Sequence, residues 1–247
     1  MHSFFVRKEN ISQDSIVIFD LSEVHHLRDV LRVKMKEKVI IFDEGGNKYL
    51  CCVEAITDKA LLSIKERHPS GPAGRGLELT VACAIPKNSK MDDIIDKLIQ
   101  LGVTRIIPLL TERVIVRLDR PKQASRIKRW EKIALAAAKQ SHRVYLPVIE
   151  PIKDIREVLD ASGAYDLRLI PTLAQPECYS LKQALDKVKA KNILVLIGPE
   201  GDFTDEEINM AKDKGFLPVT LGELVLRVET AAIAVASFVR LYLYEDC

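Results

Sequence analysis

The sequence predicts an α/β protein in two parts, a small β domain followed by a larger domain built on a mostly parallel sheet. Three observations carry that reading. The first seventy residues alternate short β-rich runs with turn signals. Beyond residue 76, apolar runs alternate with helical patterns. Between the two lies Pro69-Ser70-Gly71-Pro72-Ala73-Gly74-Arg75-Gly76, which has the composition of a linker and no apolar periodicity. The expected division is a β domain over residues 1–70, a linker over 71–76 and an α/β domain over 77–247.

Taken in order, the first part offers strands at Ile16 to Phe19, Val39 to Phe42, Tyr49 to Ile56 and Ala60 to Ile64. Glu44-Gly45-Gly46-Asn47 supplies residues that tolerate positive φ, as a tight hairpin requires. A short helix, capped by Ser22, should place Leu27, Val30 and Leu31 on one side. In the second part, strands are expected at Leu79 to Ala84, Arg105 to Leu109, Leu167 to Pro171, Asn192 to Ile197 and Pro218 to Thr220. Helices are expected at Lys90 to Leu101, Ala124 to Ser141, Leu181 to Lys189, Asp205 to Lys214 and Thr230 to Tyr244. The last is apolar all round and should be buried or lie in a subunit interface.

Composition excludes several classes. With 47% hydrophobic and 29% charged residues over 247 positions, the chain can bury a sizeable core and is not of the disordered type. Its longest nearly apolar run, Ala231 to Val239, is far short of the roughly 20 residues that span a bilayer. The N-terminus lacks a basic leader followed by an apolar stretch, so a cytoplasmic location is expected. Five cysteines without a Cys-x-x-Cys pair, and histidines without ligand spacing, argue against both a disulfide framework and a metal site. The net charge of +2 hides an uneven distribution, because residues 105–143 carry 11 basic and 3 acidic side chains whereas 144–247 carry 11 and 17. The basic segment fits a surface that follows a phosphate backbone, or a solvated helix face.

Two segments carry chemistry. Asn192 to Ile197 runs into Gly198-Pro199-Glu200-Gly201, and loops beyond the carboxyl ends of parallel strands are where ligands bind in open α/β sheets. Neither Gly-x-Gly-x-x-Gly nor Gly-Lys-Ser/Thr is present, and Glu200 would repel a phosphate, so a phosphate-free ligand such as S-adenosylmethionine suits the loop. An ordinary strand-to-helix turn is the alternative. Thr204 and Glu207 form a capping-box pattern for the next helix. The second segment, Leu221 to Ala232, sets Arg227, Glu229 and Thr230 among apolar neighbours, as ligand contacts or as plain N-terminal helix residues.

With His26-x-x-x-Val30-Leu31-Arg32, Lys90-Met91-Asp92, Leu101-Gly102-Val103, Thr111-Glu112-Arg113, Arg129-Trp130, Gln140-Ser141-His142-Arg143, Gly198-Pro199-Glu200-Gly201 and Leu226-Arg227-x-Glu229-Thr230-Ala231 in this order, the chain resembles the ribosomal small-subunit methyltransferase E family. These are uracil-N3 methyltransferases of the SPOUT superfamily. The resemblance implies a PUA-like β-barrel for RNA binding, a C-terminal SPOUT trefoil-knot domain, S-adenosylmethionine as cofactor, and 16S rRNA or the assembled small subunit as partner. It also implies a homodimer with no membrane association. Carried onto this sequence, the expected catalytic residues are Arg227, Glu229 and Glu200. The cofactor-binding set is Leu173, Ile197, Gly198, Pro199, Glu200, Gly201, Leu221, Gly222, Leu226, Thr230 and Ala231. RNA would be held by His26, Arg28, Arg32, Arg113, Arg117, Arg129 and Arg143. The chain departs from the family at Asp202, where glycine is common, at Leu224, where arginine is usual, and at Gln100 and Lys139, where glutamate is frequent. Alternative readings are methylation of another RNA nucleotide such as a tRNA guanosine, and an RNA-binding module without catalysis; a nicotinamide oxidoreductase is disfavoured by the missing phosphate fingerprint.

Overall fold

The computed structural model describes residues 1–43, 45–69, 76–87, 90–114, 119–141, 143, 145–173 and 178–243. The chain divides into two compact units, Met1–Gly74 with Ala138–Leu146, and Arg75–Ala137 with Pro147–Cys247. The return of 138–146 to the first unit has no counterpart in the division expected from the sequence.

In the first unit, β1 (Ser3–Phe5), β2 (Ser15–Ile18), β3 (Lys38–Phe42), β4 (Lys48–Ile56) and β5 (Ala60–His68) form one sheet in the order β1-β3-β4-β5-β2. The pairing of β1 with β3 is parallel and the rest are antiparallel. Alternation along these strands sends Ile16, Ile18, Val39, Ile41, Cys51, Val53 and Leu62 to one core with Phe4 and Leu27. Each fully buried Leu, Ile or Phe there contributes about 1.5–3 kcal/mol. β1 was not foreseen, because three residues are too few to show a period.

The short helix α1 (Leu21–His25) is capped by Asp20, whose carboxylate accepts from the amides of Ser22 and Glu23, and not by Ser22 as expected. Ser22 instead donates its own hydroxyl to Asp20 at 2.6 Å. The chain continues as a π-helical turn over His26–Val30, and the extra residue per turn rotates the face, so Leu27 is buried while Val30 is 58% exposed. Leu27, Val30 and Leu31 therefore do not share one side.

The second unit holds β6 (Glu78–Ala84), α2 (Lys90–Gln100), β7 (Arg105–Leu110), α3 (Arg120–Gln140, its last three residues in the first unit), β8 (Val148–Ile149), β9 (Lys153–Asp154) and α4 (Ile155–Asp160). It continues with β10 (Leu167–Pro171), β11 (Tyr179–Ser180), α5 (Leu181–Asp186), β12 (Asn192–Ile197), α6 (Asp205–Asp213), β13 (Leu217–Thr220) and α7 (Val228–Tyr242). The sheet order is β11-β13-β10-β12-β6-β7-β8, with β9 beside β7, and every pair is parallel. Central β12 is buried from Ile193 to Ile197, which accounts for its unbroken apolar run. α7 buries Val228, Ala232, Val235, Ala236 and Val239 but leaves Leu241 75% exposed and Phe238 stacked on Tyr242 at the surface.

Candidate active site

Three strands that neighbour one another in the sheet, β13, β10 and β12, end at one cavity of about 570 Å³ measured out to solvent. The chain leaving β10 contributes Pro171, Thr172 and Leu173; that leaving β12 contributes Ile197 to Glu200 and Asp202; that leaving β13 contributes Leu221 and Leu224 to Leu226. Val228 and Ala231 of α7 complete it. Its size suits a nucleoside-sized ligand, and its place beyond the carboxyl ends of parallel strands is the usual one for this architecture.

The loop after β12 is held from two sides. Asp202 sits at φ 59, a left-handed conformation that glycine adopts freely and aspartate tolerates. Its carboxylate accepts from the amide of Phe203 at 2.8 Å, from Thr172 Oγ1 at 2.8 Å and from the amide of Leu173 at 3.0 Å, tying the loop to the end of β10. On the other side, the guanidinium of Arg113 donates to the carbonyls of Gly201 and Phe203. The amide of Glu112 donates to Glu207 Oε1 at 2.9 Å, while Glu207 and Thr204 close the expected capping box at the start of α6. Such a cap contributes about 1 kcal/mol and fixes where loop ends and helix begins. At Gly198 a Cβ would stand 3.1 Å from the ring of Phe203, so the backbone there approaches its neighbours closely.

The expected cofactor residues Leu173, Ile197, Gly198, Pro199, Glu200, Leu221, Leu226 and Ala231 lie together on the cavity wall. Gly201, Gly222 and Thr230 belong to the same loops and helix but are not among the lining residues. Of the three expected catalytic residues, Glu200 lines the cavity and accepts weakly from the amide of Lys87 at 3.4 Å. Arg227 sits at the N-cap of α7 with an exposed side chain, between the lining residues Leu226 and Val228. Glu229 points to Lys90 of α2, Nζ to Oε1 2.9 Å. That ammonium, with Arg227 a weaker contributor, holds the Glu229 carboxyl below the usual carboxylate range against the opposing effect of burial.

The residues expected to hold RNA fall on both units. In the first, His26, Arg28 and Arg32 are exposed around the π turn, Arg28 donating to Asp29 and to the Thr57 carbonyl, while Arg143 is half-buried. In the second, Arg129 pairs with Asp92, and Arg113 braces the loop as described. Arg117 and His142 lie outside the described residues. Pro171, Thr172, Asp202, Leu224, Val225 and Val228 line the cavity but were absent from the expected site. Asp202 and Leu224 left a signal in the sequence, each as a departure from the residue usual in the family that the chain resembles.

No helix among the described residues is long and apolar enough to cross a membrane, and among them no cluster of His, Cys, Asp and Glu is arranged to hold a metal ion. Comparison with known proteins gives two family matches, to an RNA methyltransferase domain over residues 74–240 and an RNA methyltransferase PUA domain over 19–66. The chain is 33% identical to ribosomal RNA small subunit methyltransferase E of Synechocystis sp., covering 88% of this chain and 70% of that one. It is 31% identical to the protein of the same name from Rickettsia conorii, over 88% of this chain and 86% of that one. Among solved structures, a ribosomal RNA small subunit methyltransferase E from Neisseria gonorrhoeae bound to S-adenosyl methionine superposes with a TM-score of 0.81 at 31% identity, covering 98% of both chains.

Proposed function

This chain belongs to the ribosomal RNA small subunit methyltransferase E family, with a PUA domain ahead of the methyltransferase domain, and from that premise we propose that it methylates N3 of a uridine in 16S rRNA. It is an S-adenosylmethionine-dependent RNA methyltransferase. The observation that carries the cofactor assignment is the cavity at the ends of β13, β10 and β12. Its walls are mainly apolar, suited to an adenosine, and among the described lining residues no Lys or Arg would call for a phosphate. When bound, S-adenosylmethionine supplies a methyl group on a positively charged sulfur, which keeps the bonding electrons as the methyl passes to uracil N3 and the N3 proton leaves to a base or to water.

The chain's own residues then divide the work. Ile197, Leu221, Leu226 and the Gly198-Pro199 backbone hold the adenosine, with Leu173, Gly201, Gly222, Thr230 and Ala231 in the supporting loops and helix. Arg227, exposed at the mouth, stabilises negative charge that develops on the uracil oxygens as N3 loses its proton. Glu229, kept ionised by Lys90, sets the field in which Arg227 sits. Glu200 is the carboxylate on the wall that can receive the N3 proton. N3 lies on the base-pairing edge, so the uridine must be unpaired or flipped to reach the site.

The domain reading is a PUA-like RNA-binding domain over 1–70, a linker over 71–76 and a SPOUT trefoil-knot domain over 77–247. RNA affinity comes from His26, Arg28, Arg32, Arg117, Arg129 and Arg143 through phosphates, while Arg113, also expected there from the sequence, braces the cofactor loop instead. The active form is a cytoplasmic homodimer: Leu224 and Val225 on the cavity wall are 76% and 77% exposed, and Leu241 is 75% exposed, which a second copy would cover. The test is incubation with undermethylated small ribosomal subunits and labelled cofactor, followed by mapping of the modified base. Label at uridine N3, falling about 10²–10³-fold in Arg227→Ala, is expected. A modified guanosine, or an unchanged rate in Arg227→Ala, overturns the assignment.

A further inference from the structure

We infer that Asp202 is a specificity-determining residue that makes the cavity prefer the positively charged cofactor over its neutral product. Among the described lining residues, the only charged ones are Glu200 and Asp202, and both are acidic. The lining therefore presents negative charge to whatever it holds. Asp202 is held to that wall by its bonds to Phe203, Thr172 and Leu173, so its charge does not swing away. A residue chosen only for its backbone would be glycine, since φ is 59 there. The carboxylate is a departure from that simplest solution, and it lines a cavity whose ligand, on the cofactor reading, carries a sulfonium before methyl transfer and a neutral thioether after it.

The inference rests on the cofactor reading above and goes beyond it. A fixed carboxylate in a partly desolvated cavity attracts the sulfonium and gives nothing to the thioether. Because the attraction is strongest in the ground state, where the charge is concentrated on sulfur, it favours binding of the substrate form and release of the spent form rather than the chemical step. Asp202 then lowers KM and eases product inhibition, and gives no acceleration to the chemical step.

The test is calorimetric titration of the unaltered protein, Asp202→Asn and Asp202→Gly with three ligands: S-adenosylmethionine, S-adenosylhomocysteine, and an analogue with a protonated amine in place of the sulfonium. The unaltered protein should bind the two cationic ligands more tightly than the neutral one. Both variants should narrow that preference on the order of tenfold while changing affinity for the neutral ligand much less. Asp202→Gly suits the positive φ, so it guards against a folding defect in the Asn variant. Equal losses for all three ligands would reduce Asp202 to a clasp and overturn the inference alone. An unchanged preference overturns it as well, and failure of the unaltered protein to bind any of the three defeats the cofactor reading itself.

Discussion

Two aspartates organise two turns of this protein, and they do it with opposite reach. Asp43, at the end of β3, is fully buried and accepts from the amide of Gly45 at 2.8 Å, the amide and side chain of Asn47 at 3.0 and 2.7 Å, and the Tyr49 hydroxyl at 3.0 Å. All its partners lie within six residues, so the turn is closed by its own sequence. Asp202 takes one partner from its own loop and two from the end of β10, some thirty residues away, and faces a cavity. A carboxylate satisfied locally makes a turn rigid; one satisfied across strands ties together the walls of a binding site.

The largest effect should come from breaking the local turn. Asp43→Ala removes the acceptor of all four donors and strands the buried Tyr49 hydroxyl, and a loss of about 3 kcal/mol is expected. Trp130, the one tryptophan of the chain, is buried in the second unit, where its indole donates to Asp92 at 3.0 Å, so its fluorescence follows that unit. In urea, far-UV circular dichroism of the variant should begin to change before the tryptophan signal does. Burial pushes the Asp43 carboxyl up, but the hydrogen bonds of Asn47, Tyr49 and Gly45 outweigh it and leave it below the ordinary value of 3.8. Its stabilisation is thus complete above that value and lost as pH falls through the lower folded value, a slope that Asp43→Asn should remove. Coincident transitions at all pH values would mean that the turn is not what holds the first unit.

Next in size is the brace on the far side of the cofactor loop. Arg113→Ala removes the donor to Gly201 and Phe203 and should weaken cofactor binding about tenfold, as loss of a charged hydrogen bond does. Smaller again is Thr172→Val, which removes one of the donors to Asp202, with a loss of about threefold. Calorimetry should show both affecting the cationic and neutral ligands alike, in contrast with the charge variants at Asp202. An RNA-binding defect in Arg113→Ala with cofactor affinity intact would return this residue to the phosphate-contacting role expected from the sequence.

Local rules were legible in the sequence where one partner sufficed. The capping box of Thr204 and Glu207, the apolar run of β12 and the loop that follows it each follow from neighbouring residues, and each is present in the fold. What escaped depends on partners distant in sequence or on a shift of register. β1 pairs with β3 across more than thirty residues, and the π turn at His26–Val30 turns Val30 outward with no mark in the apolar pattern. Gly46 was expected for its freedom in a turn, and it does adopt φ 79. It has a second reason, which no local pattern carries: a Cβ there would meet the ring of Tyr145 at 2.1 Å. The bracing of the cofactor loop by Arg113 is of the same kind, since a basic residue in a basic segment reads first as an RNA contact.

The smallest expected effect separates two ways of keeping a carboxylate ionised. Asp43 is held by neutral donors, whereas Glu229 is held chiefly by the Lys90 ammonium at 2.9 Å, with both side chains partly open to water. An exposed ion pair of this kind contributes about 1 kcal/mol or less. Because the Glu229 carboxyl lies below its ordinary 4.5, its contribution is present above that value and fades as pH falls through the folded value. Mobile ions screen such a pair at about 1 M salt but leave a buried, neutral hydrogen-bond cage almost untouched. Lys90→Met should therefore lower the tryptophan-monitored stability slightly at low salt and hardly at all at high salt, while the Asp43→Asn defect stays constant across the same range. A salt-independent loss in Lys90→Met would place its contribution in the packing of its aliphatic stem between α2 and α7 rather than in its ion pair with Glu229.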